Sequence, residues 1–204
     1  MTDNTGHDLV AFVRSVFEAS AATKQAAAEQ LGDAIVAASK LVAECYARGG
    51  ALYAFGNGGS AADAQHFVGE LIGRYHRNRP PLAAVALSTD PSALTCIAND
   101  YSYADVFARQ VTALARTGDV VIGITTSGRS ANVVTGLIAA RAAGAATIAL
   151  TGGDGGDVLA HADVAIVVPA TYTPRIQECH TTAIHAMSEL VEALALGLPL
   201  PPQR

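Results

Sequence analysis

Lysine is nearly absent from this chain of 204 residues, and its absence excludes two kinds of site. Only Lys24 and Lys40 are present. No residue beyond position 40 can therefore form a Schiff base with a carbonyl substrate or with pyridoxal phosphate, because that route requires a lysine amine. A Walker-type nucleotide loop is excluded as well, since its glycines are followed by a GK[ST] sequence.

Basic charge, paired cysteines and long apolar runs are also scarce. The net charge is −5 and the pI is near 5.6, which argues against nucleic-acid binding, because that function normally uses a basic patch. The cysteines Cys45, Cys96 and Cys179 form no CxxC pair, so we expect three small buried side chains in a reducing cytoplasm. The apolar runs are short and no basic lead precedes one at the N-terminus, so we expect neither a membrane span nor a signal peptide.

The sequence does contain a regular alternation of strand-like and helix-like segments after Gly50. Five short apolar runs predict strands, and helical stretches lie between most of them. The clearest helical stretches are near 60–74, 130–142 and 174–196, the last of which follows the fifth run. Such a pattern predicts an α/β fold, in which a doubly wound sheet of five parallel strands in the flavodoxin-like order 2-1-3-4-5 is covered on both faces. The predicted strands are 51–55, 82–87, 120–125, 146–150 and 164–168.

From about His7 to Arg48 the sequence has helical spacing instead. Val10, Val13 and Phe17 recur on one face, and Gly32 is a candidate break before a second helix. We interpret residues 1–32 as a helical arm that packs on a neighbouring molecule, with an ordinary core helix as the alternative, and residues 33–197 as one domain.

Two polar, glycine-containing loops follow the first and third predicted strands. In doubly wound sheets, ligands bind outside the carboxyl ends of the strands at the point where the winding direction reverses, and these loops flank that point. "TTSGRS" offers hydroxyl groups and backbone N–H groups at a helix start, which favours a phosphate; an N-cap in a Ser/Thr-rich turn is the alternative. Its hydroxyls belong to Thr125, Thr126, Ser127 and Ser130.

"GNGGSA" (56–61) also matches the GxGxxA fingerprint of dinucleotide-binding folds. That fingerprint requires an acidic residue about 20 positions further on. Asp90 lies 31 residues after Gly59 and beyond the second predicted strand. Nucleotide binding therefore remains a minor alternative.

Polar side chains on two predicted helices form a candidate reactive centre. His66 and Glu70 are four residues apart and share one helix face. Gln177 and His185 lie about 80° apart around a second helix, whereas His180 lies about 140° from His185 and should serve another site. Together, His66, Glu70, Gln177 and His185 could form a mixed N/O metal site or an acid–base pair with helpers. For His66 and Glu70 the alternative is a surface ion pair.

Four separated motifs resemble the phosphoheptose isomerases of the sugar isomerase (SIS) domain family, and the similarity covers nearly the whole chain. The resemblance implies conversion of sedoheptulose 7-phosphate to D-glycero-D-manno-heptose 7-phosphate by proton transfer through a cis-enediol. It implies Glu70 as the base and His185 as the acid. The motifs are "GNGGSAADAQHFVGELIGRY" (56–75), "AND" (98–100), "TTSGRSANVV" (125–134) and "RIQECHTTAIH" (175–185).

The resemblance also implies a binding site, a metal and an assembly. It implies one zinc ion per subunit, and a homotetramer whose sites lie at subunit interfaces. The implied zinc ligands are His66, Glu70, Gln177 and His185. The implied substrate-binding residues are Asn57, Gly58, Gly59, Ser60, Glu70, Asn99, Asp100, Thr125, Thr126, Ser127, Ser130 and Gln177.

The sequence departs from the family pattern at two positions. Gly69 stands where many members have a second Glu, and Pro174 where members often have Asp. Both changes bear on the sugar-binding surface rather than on a reactive group. A non-catalytic tetrameric SIS binding protein, of the kind that associates with a replication initiator, is the alternative function, but the presence of Glu70, Gln177 and His185 favours an enzyme.

Overall fold

The computed structural model describes residues 9–200 and shows an α/β domain with helices on both faces of one sheet. The first eight residues of the predicted arm and residues 201–204 lie outside this range. The elements are α1 (Leu9–Gln30), α2 (Gly32–Ala47), β1 (Leu52–Gly56), α3 (Gly59–Ile72), β2 (Ala84–Ala86), α4 (Pro91–Asp100), a 3₁₀ turn (Tyr103–Asp105), α5 (Val106–Leu114), β3 (Val120–Ile124), α6 (Ala131–Ala142), β4 (Ala146–Gly152), a 3₁₀ turn (Asp157–His161), β5 (Val164–Val168) and α7 (Thr173–Leu196).

The five strands form one sheet in the order β2-β1-β3-β4-β5, and every pairing is parallel. This confirms the predicted number of strands and their order. Gly56 pairs in register with Ile124. The glycine turn after β1 and the hydroxyl-rich loop after β3 therefore leave adjacent strands at the same edge, where the winding direction reverses.

Alternating side chains of the buried strands supply two cores, one on each face of the sheet. Ile122 of β3 packs into the core beneath α2, α3 and α7, whereas its neighbour Val121 packs into the core beneath α5 and α6. In the second core, Phe55 stacks on Phe107 with ring centroids 4.7 Å apart. Each fully buried side chain of this size stabilises the fold by about 1.5–3 kcal/mol.

Helix α4 begins directly after Asp90, the residue that was considered above as the acidic residue of a dinucleotide-binding fingerprint. The carboxylate of Asp90 accepts hydrogen bonds from the N–H groups of Ser92 and Ala93, and Pro91 occupies the first helical position. Asp90 is thus an N-cap. Cys96 lies on the exposed side of the same helix, so the expectation of three buried cysteines is wrong for this one.

Helix α1 contributes little to the core of its own chain. Ala27 is the buried residue among its 22, and Leu9, Phe12 and Phe17 are 74%, 65% and 72% exposed. It is therefore not an ordinary core helix of this chain. The boundary of the arm at residue 32 and its packing on a neighbour stay predictions. Within residues 9–200, no helix combines the length and the apolar character needed to cross a membrane.

Candidate active site

The candidate site is built on two helices that lie side by side and run in the same direction. Contacts between α3 and α7 occur at three successive levels, and the sequence separation stays at 118 or 119 residues from one level to the next. A constant separation means that the two chains advance together. The pairs are Gly59 with Gln177, Asp63 with Thr181, and His66 with His185.

At the third level, two imidazoles and a carboxylate meet. His66 Nε2 lies 3.0 Å from Glu70 Oε1, and His185 Nε2 lies 3.4 Å from His66 Nε2. The side chains of His66 and Glu70 are 40% and 22% exposed. The predicted catalytic residues Glu70 and His185 therefore point into one space, although they lie more than 100 residues apart in the sequence.

The three side chains also have the geometry of a metal site. One ligand atom from each of His66, Glu70 and His185 lies within 4.8 Å of the others. Two imidazole nitrogens facing one another at close range need a proton or a cation between them, because two lone pairs repel. Imidazole nitrogen and carboxylate oxygen are ligands that zinc accepts, so these three residues fit the implied ion.

The structure does not bring Gln177 to these three ligands within one chain. Its amide lies against Gly59 at the start of α3, where a Cβ would overlap it. Gln177 precedes His185 by eight residues, about 12 Å along the helix axis. The four-residue zinc set therefore stays a prediction, and within one chain three of its members converge.

An aromatic ring that the sequence analysis did not identify completes the cluster. Tyr75, which follows α3, stacks on His185 with a centroid distance of 5.7 Å and an interplanar angle of 29°. His66 meets the same imidazole edge-on at 4.9 Å. The imidazole of His185 is therefore held between two rings. Tyr75 is the last residue of the first family motif, but its segment has no regular structure, so periodicity assigned it no role.

One level nearer the start of α3, a buried carboxylate lies between the helices. Asp63 Oδ1 accepts a hydrogen bond of 3.1 Å from the hydroxyl of Thr181, and Oδ2 is buried without a partner among the residues that the structure covers. Burial raises the pKa of Asp63, although Thr181 and the nearby His66 partly oppose that shift. Asp63 was not predicted as a site residue, because a single Asp within a helical pattern resembles a surface residue.

The glycine turn is joined to the first turn of α6 by a reciprocal pair of amide hydrogen bonds. Asn57 and Asn132 donate to each other's side-chain oxygen at 2.8 Å in both directions, and the hydroxyl of Tyr103 donates to Asn57 at 3.1 Å. Asn132 is only 3% exposed. The predicted substrate-binding Asn57 is thus fixed in orientation by two residues that sequence analysis did not single out. Gly58, Gly59 and Ser60 begin α3 directly behind it.

The hydroxyl-rich loop faces the start of α6 as predicted. Thr125 and Ser130 bond to each other at 3.0 Å, so the Ser130 hydroxyl does not cap the helix it precedes. Thr126 and Ser127 line a cavity of about 380 Å³ between this loop and the end of β4. A helix start without a side-chain cap favours an anion, because its N–H groups and dipole are positive there.

Two further predicted residues, Asn99 and Asp100, lie at the end of α4. Asn99 donates to Asp100 at 2.8 Å at the exposed end of α4, and hydrogen bonds from Asn99 and from Cys96 lower the pKa of Asp100. Arg129 forms an exposed ion pair with Asp154 at 2.6 Å. Arg129 is therefore a surface ion-pair partner of Asp154.

His180 belongs to a different environment from His185, as predicted. It is fully buried, and its Nε2 lies 3.1 Å from the carbonyl oxygen of Thr151. Nδ1 has no hydrogen-bond partner within residues 9–200, so Nε2 holds the proton and the ring is neutral. Burial lowers the pKa of His180 to about 4, and the hydrogen bond to Thr151 opposes that shift only in part.

Known proteins of one family are similar to this chain in sequence and in fold. The SIS domain family matches residues 16–152. Phosphoheptose isomerases from Thiobacillus denitrificans and Roseiflexus are 50% and 51% identical; the alignments cover 89% and 86% of this chain and 94% and 89% of the relatives. The solved structure of phosphoheptose isomerase from Neisseria gonorrhoeae superposes with a TM-score of 0.86 at 47% identity, covering 91% of this chain and 99% of that one.

Fold, site and comparisons together define an α/β isomerase. The chain belongs to the SIS domain family and, within it, to the phosphoheptose isomerases. The prediction of an enzyme is thereby confirmed against the alternative of a non-catalytic binding protein.

The buried His180 predicts a loss of stability at acid pH. Between pH 6.5, its ordinary pKa, and about pH 4, the unfolded chain binds a proton at this residue and the folded chain does not. The free energy of unfolding should therefore fall as pH decreases, by roughly 3 kcal/mol from this residue alone, and should lose nothing more from it below pH 4. Denaturant titrations of the parent and of His180→Gln across this range measure the difference. An equally steep pH dependence in the variant would contradict the assignment.

The hydroxyl-rich loop should be sensitive to a single methyl group at Gly128. This residue has φ of 68°, and a Cβ there would lie 2.6 Å from the carbonyl carbon of Gly155, within the backbone of the next loop. Gly128→Ala should lower the free energy of unfolding by about 1–3 kcal/mol more than Gly118→Ala does. Gly118 is the control, because its φ of 96° also disfavours a side chain while nothing lies within 4 Å of the added Cβ. Equal losses in the two variants, measured by denaturant titration, would show that the loops are not in tight contact.

Proposed function

We propose that this protein interconverts sedoheptulose 7-phosphate and D-glycero-D-manno-heptose 7-phosphate. The observation that supports this most directly is the meeting of the Glu70 carboxylate and the His185 imidazole around His66. A carboxylate and an imidazole can act as general base and general acid, which is the chemistry of aldose–ketose exchange. The names of the relatives support a heptose phosphate as the substrate. We assign its phosphate to the loop after β3.

The reaction moves one proton between adjacent carbons. Glu70 takes a proton from C1 of the ketose and returns it to C2, and a cis-enediol forms between the two transfers. Meanwhile the oxygen on C2 gains a proton and the oxygen on C1 loses one, which we assign to His185. The charge of each group is restored at the end of the cycle.

Zinc is the cofactor we propose, and three residues would hold it within the chain. His66, Glu70 and His185 supply two imidazole nitrogens and a carboxylate oxygen. When bound, zinc would polarise the carbonyl and hold the adjacent hydroxyl groups. Glu70 could not be a tight zinc ligand and a free base at the same moment, so one of these two roles would have to be the weaker.

The other end of the substrate needs an anchor rather than a reactive group. Thr125, Thr126, Ser127 and Ser130 offer hydroxyls at the start of α6, and we assign the phosphate to them. In this assignment, hydroxyl groups and backbone N–H groups hold the phosphate without a lysine side chain. The anchor contributes orientation, which can lower the barrier by several kcal/mol. We assign the sugar hydroxyls to the glycine turn and to Asn99 and Asp100.

We further propose a homotetramer whose active sites lie between subunits. Gly59 begins α3 beside the phosphate loop, whereas Glu70 lies 11 residues further on, about 16 Å along the helix. Gln177 is likewise separated from His185 within the chain. A neighbouring copy can close both gaps by bringing its own loop to the cluster. The exposed apolar residues of α1 provide a surface for such contacts.

We also propose a cytoplasmic location. The three cysteines are free, and Cys96 is exposed. An exposed thiol persists most readily in a reducing compartment.

The assignment of the base predicts a specific loss of turnover. Glu70→Gln keeps the shape of the side chain and removes its basicity, so kcat with sedoheptulose 7-phosphate should fall about 10²- to 10⁴-fold. Proton NMR of the sugar, with exchange of the transferred proton measured in D₂O, follows the reaction directly. Glu44→Gln is the matched control, since it alters an exposed carboxylate paired with Arg48 on α2 and should keep the native rate. A Glu70→Gln protein that turned over at the native rate would remove Glu70 from the mechanism.

A further inference from the structure

The segment that follows α3 is held by one buried carboxylate rather than by regular secondary structure. Glu192, on α7, is 1% exposed and accepts hydrogen bonds from three consecutive backbone N–H groups. The donors are Tyr75 at 3.0 Å, His76 at 3.3 Å and Arg77 at 3.1 Å. Because a buried N–H group without a partner is costly, this carboxylate fixes the path of the segment.

A buried guanidinium completes the arrangement and reaches the end of α3. Arg79 Nε donates to Glu192 at 2.9 Å, and the two side chains are 1% and 2% exposed. Its terminal nitrogens donate to the carbonyl oxygens of Glu70 and Leu71, both at 2.7 Å. The last carbonyl groups of a helix have no partner within the helix, so Arg79 caps α3 at the turn that contains Glu70.

The stability of the fold alone does not require an ion pair at Arg79 and Glu192. Two charges are costly to bury, and a well-packed apolar pair is often as stable as a buried ion pair. Burial raises the pKa of Glu192, but the hydrogen bonds from the segment and from Arg79 outweigh that effect and leave the pKa lowered. The carboxylate is therefore ionised and well supplied with donors, which suits a group that fixes geometry.

Arg79 and Glu192 link the two helices, α3 and α7, that carry Glu70 and His185. Glu192 follows His185 by seven residues, so it lies on the same face of α7 about 10 Å further along. The first residue of the segment that Glu192 holds is Tyr75, whose ring stacks on His185. Arg79 holds the main chain of Glu70 itself.

We propose that Arg79 and Glu192 are positioning residues for the proton transfer. They fix the backbone of Glu70 relative to α7 and hold the ring of Tyr75 against His185, so that base and acid keep their mutual distance during turnover. This inference rests on the proposed function, since it assigns the pair a role in that reaction.

The test is kinetic and uses Glu192→Gln in the full chain. This variant keeps the size of the side chain but loses the charge and one acceptor oxygen. The expected result is a fall in kcat of roughly 10- to 100-fold, with KM for sedoheptulose 7-phosphate changed less than about twofold. In the Glu70→Gln background the same change should have little further effect, because the pair acts through Glu70. The His185 ring proton signal should also shift as Tyr75 moves.

The controls separate positioning from stability. Val111→Ala weakens the core on the other face of the sheet and should leave kcat per folded molecule unchanged. If Glu192→Gln does not fold, Arg79→Lys is decisive, because it keeps the buried positive charge and loses the forked donation to Glu70 and Leu71. A native kcat with an unshifted His185 signal in the folded variant would overturn the inference while leaving the proposed function intact. A parent protein that does not isomerise the sugar would overturn both.

Discussion

The parallel packing of α3 against α7 is the constraint on which the site depends. Residues separated by 118 or 119 positions meet at each level, so a carboxylate on one helix and an imidazole on the other share one space. The sheet enforces this packing from beneath, because both helices bury their apolar faces on the same core. A shift of one helix by a single residue would rotate its side chains by about 100° and separate Glu70 from His185.

Environment explains why two histidines on one helix differ in role. His185 lies in a partly open cluster with His66 and Tyr75, where a proton or an ion can be exchanged. His180 is fully buried against Thr151, and burial keeps it neutral down to about pH 4. In the proposed phosphate loop, a helix start and hydroxyl groups take the place of a lysine side chain. Burial and local dipoles thus distinguish groups of the same chemical type.

The sequence predicted the features that depend on local patterns. The strand order, the two loops at the edge and the sharing of a face by His66 and Glu70 follow from periodicity and from the topology of doubly wound folds. Tyr75, Asn132 and the Arg79–Glu192 pair could not be predicted, because each acts through contacts between segments that are far apart in the chain. The separation of Gln177 from the other three proposed zinc ligands follows from helical rise, which gives about 12 Å for eight residues, but angular spacing alone concealed it.

A crystal structure of the protein with sedoheptulose 7-phosphate tests the central claim most directly. The account predicts the phosphorus atom among the hydroxyls of Thr125 to Ser130, and C1 and C2 of the sugar beside Glu70 and His185 at a boundary between two copies of the chain. A sugar bound with those carbons in a cavity that neither Glu70 nor His185 lines would contradict it.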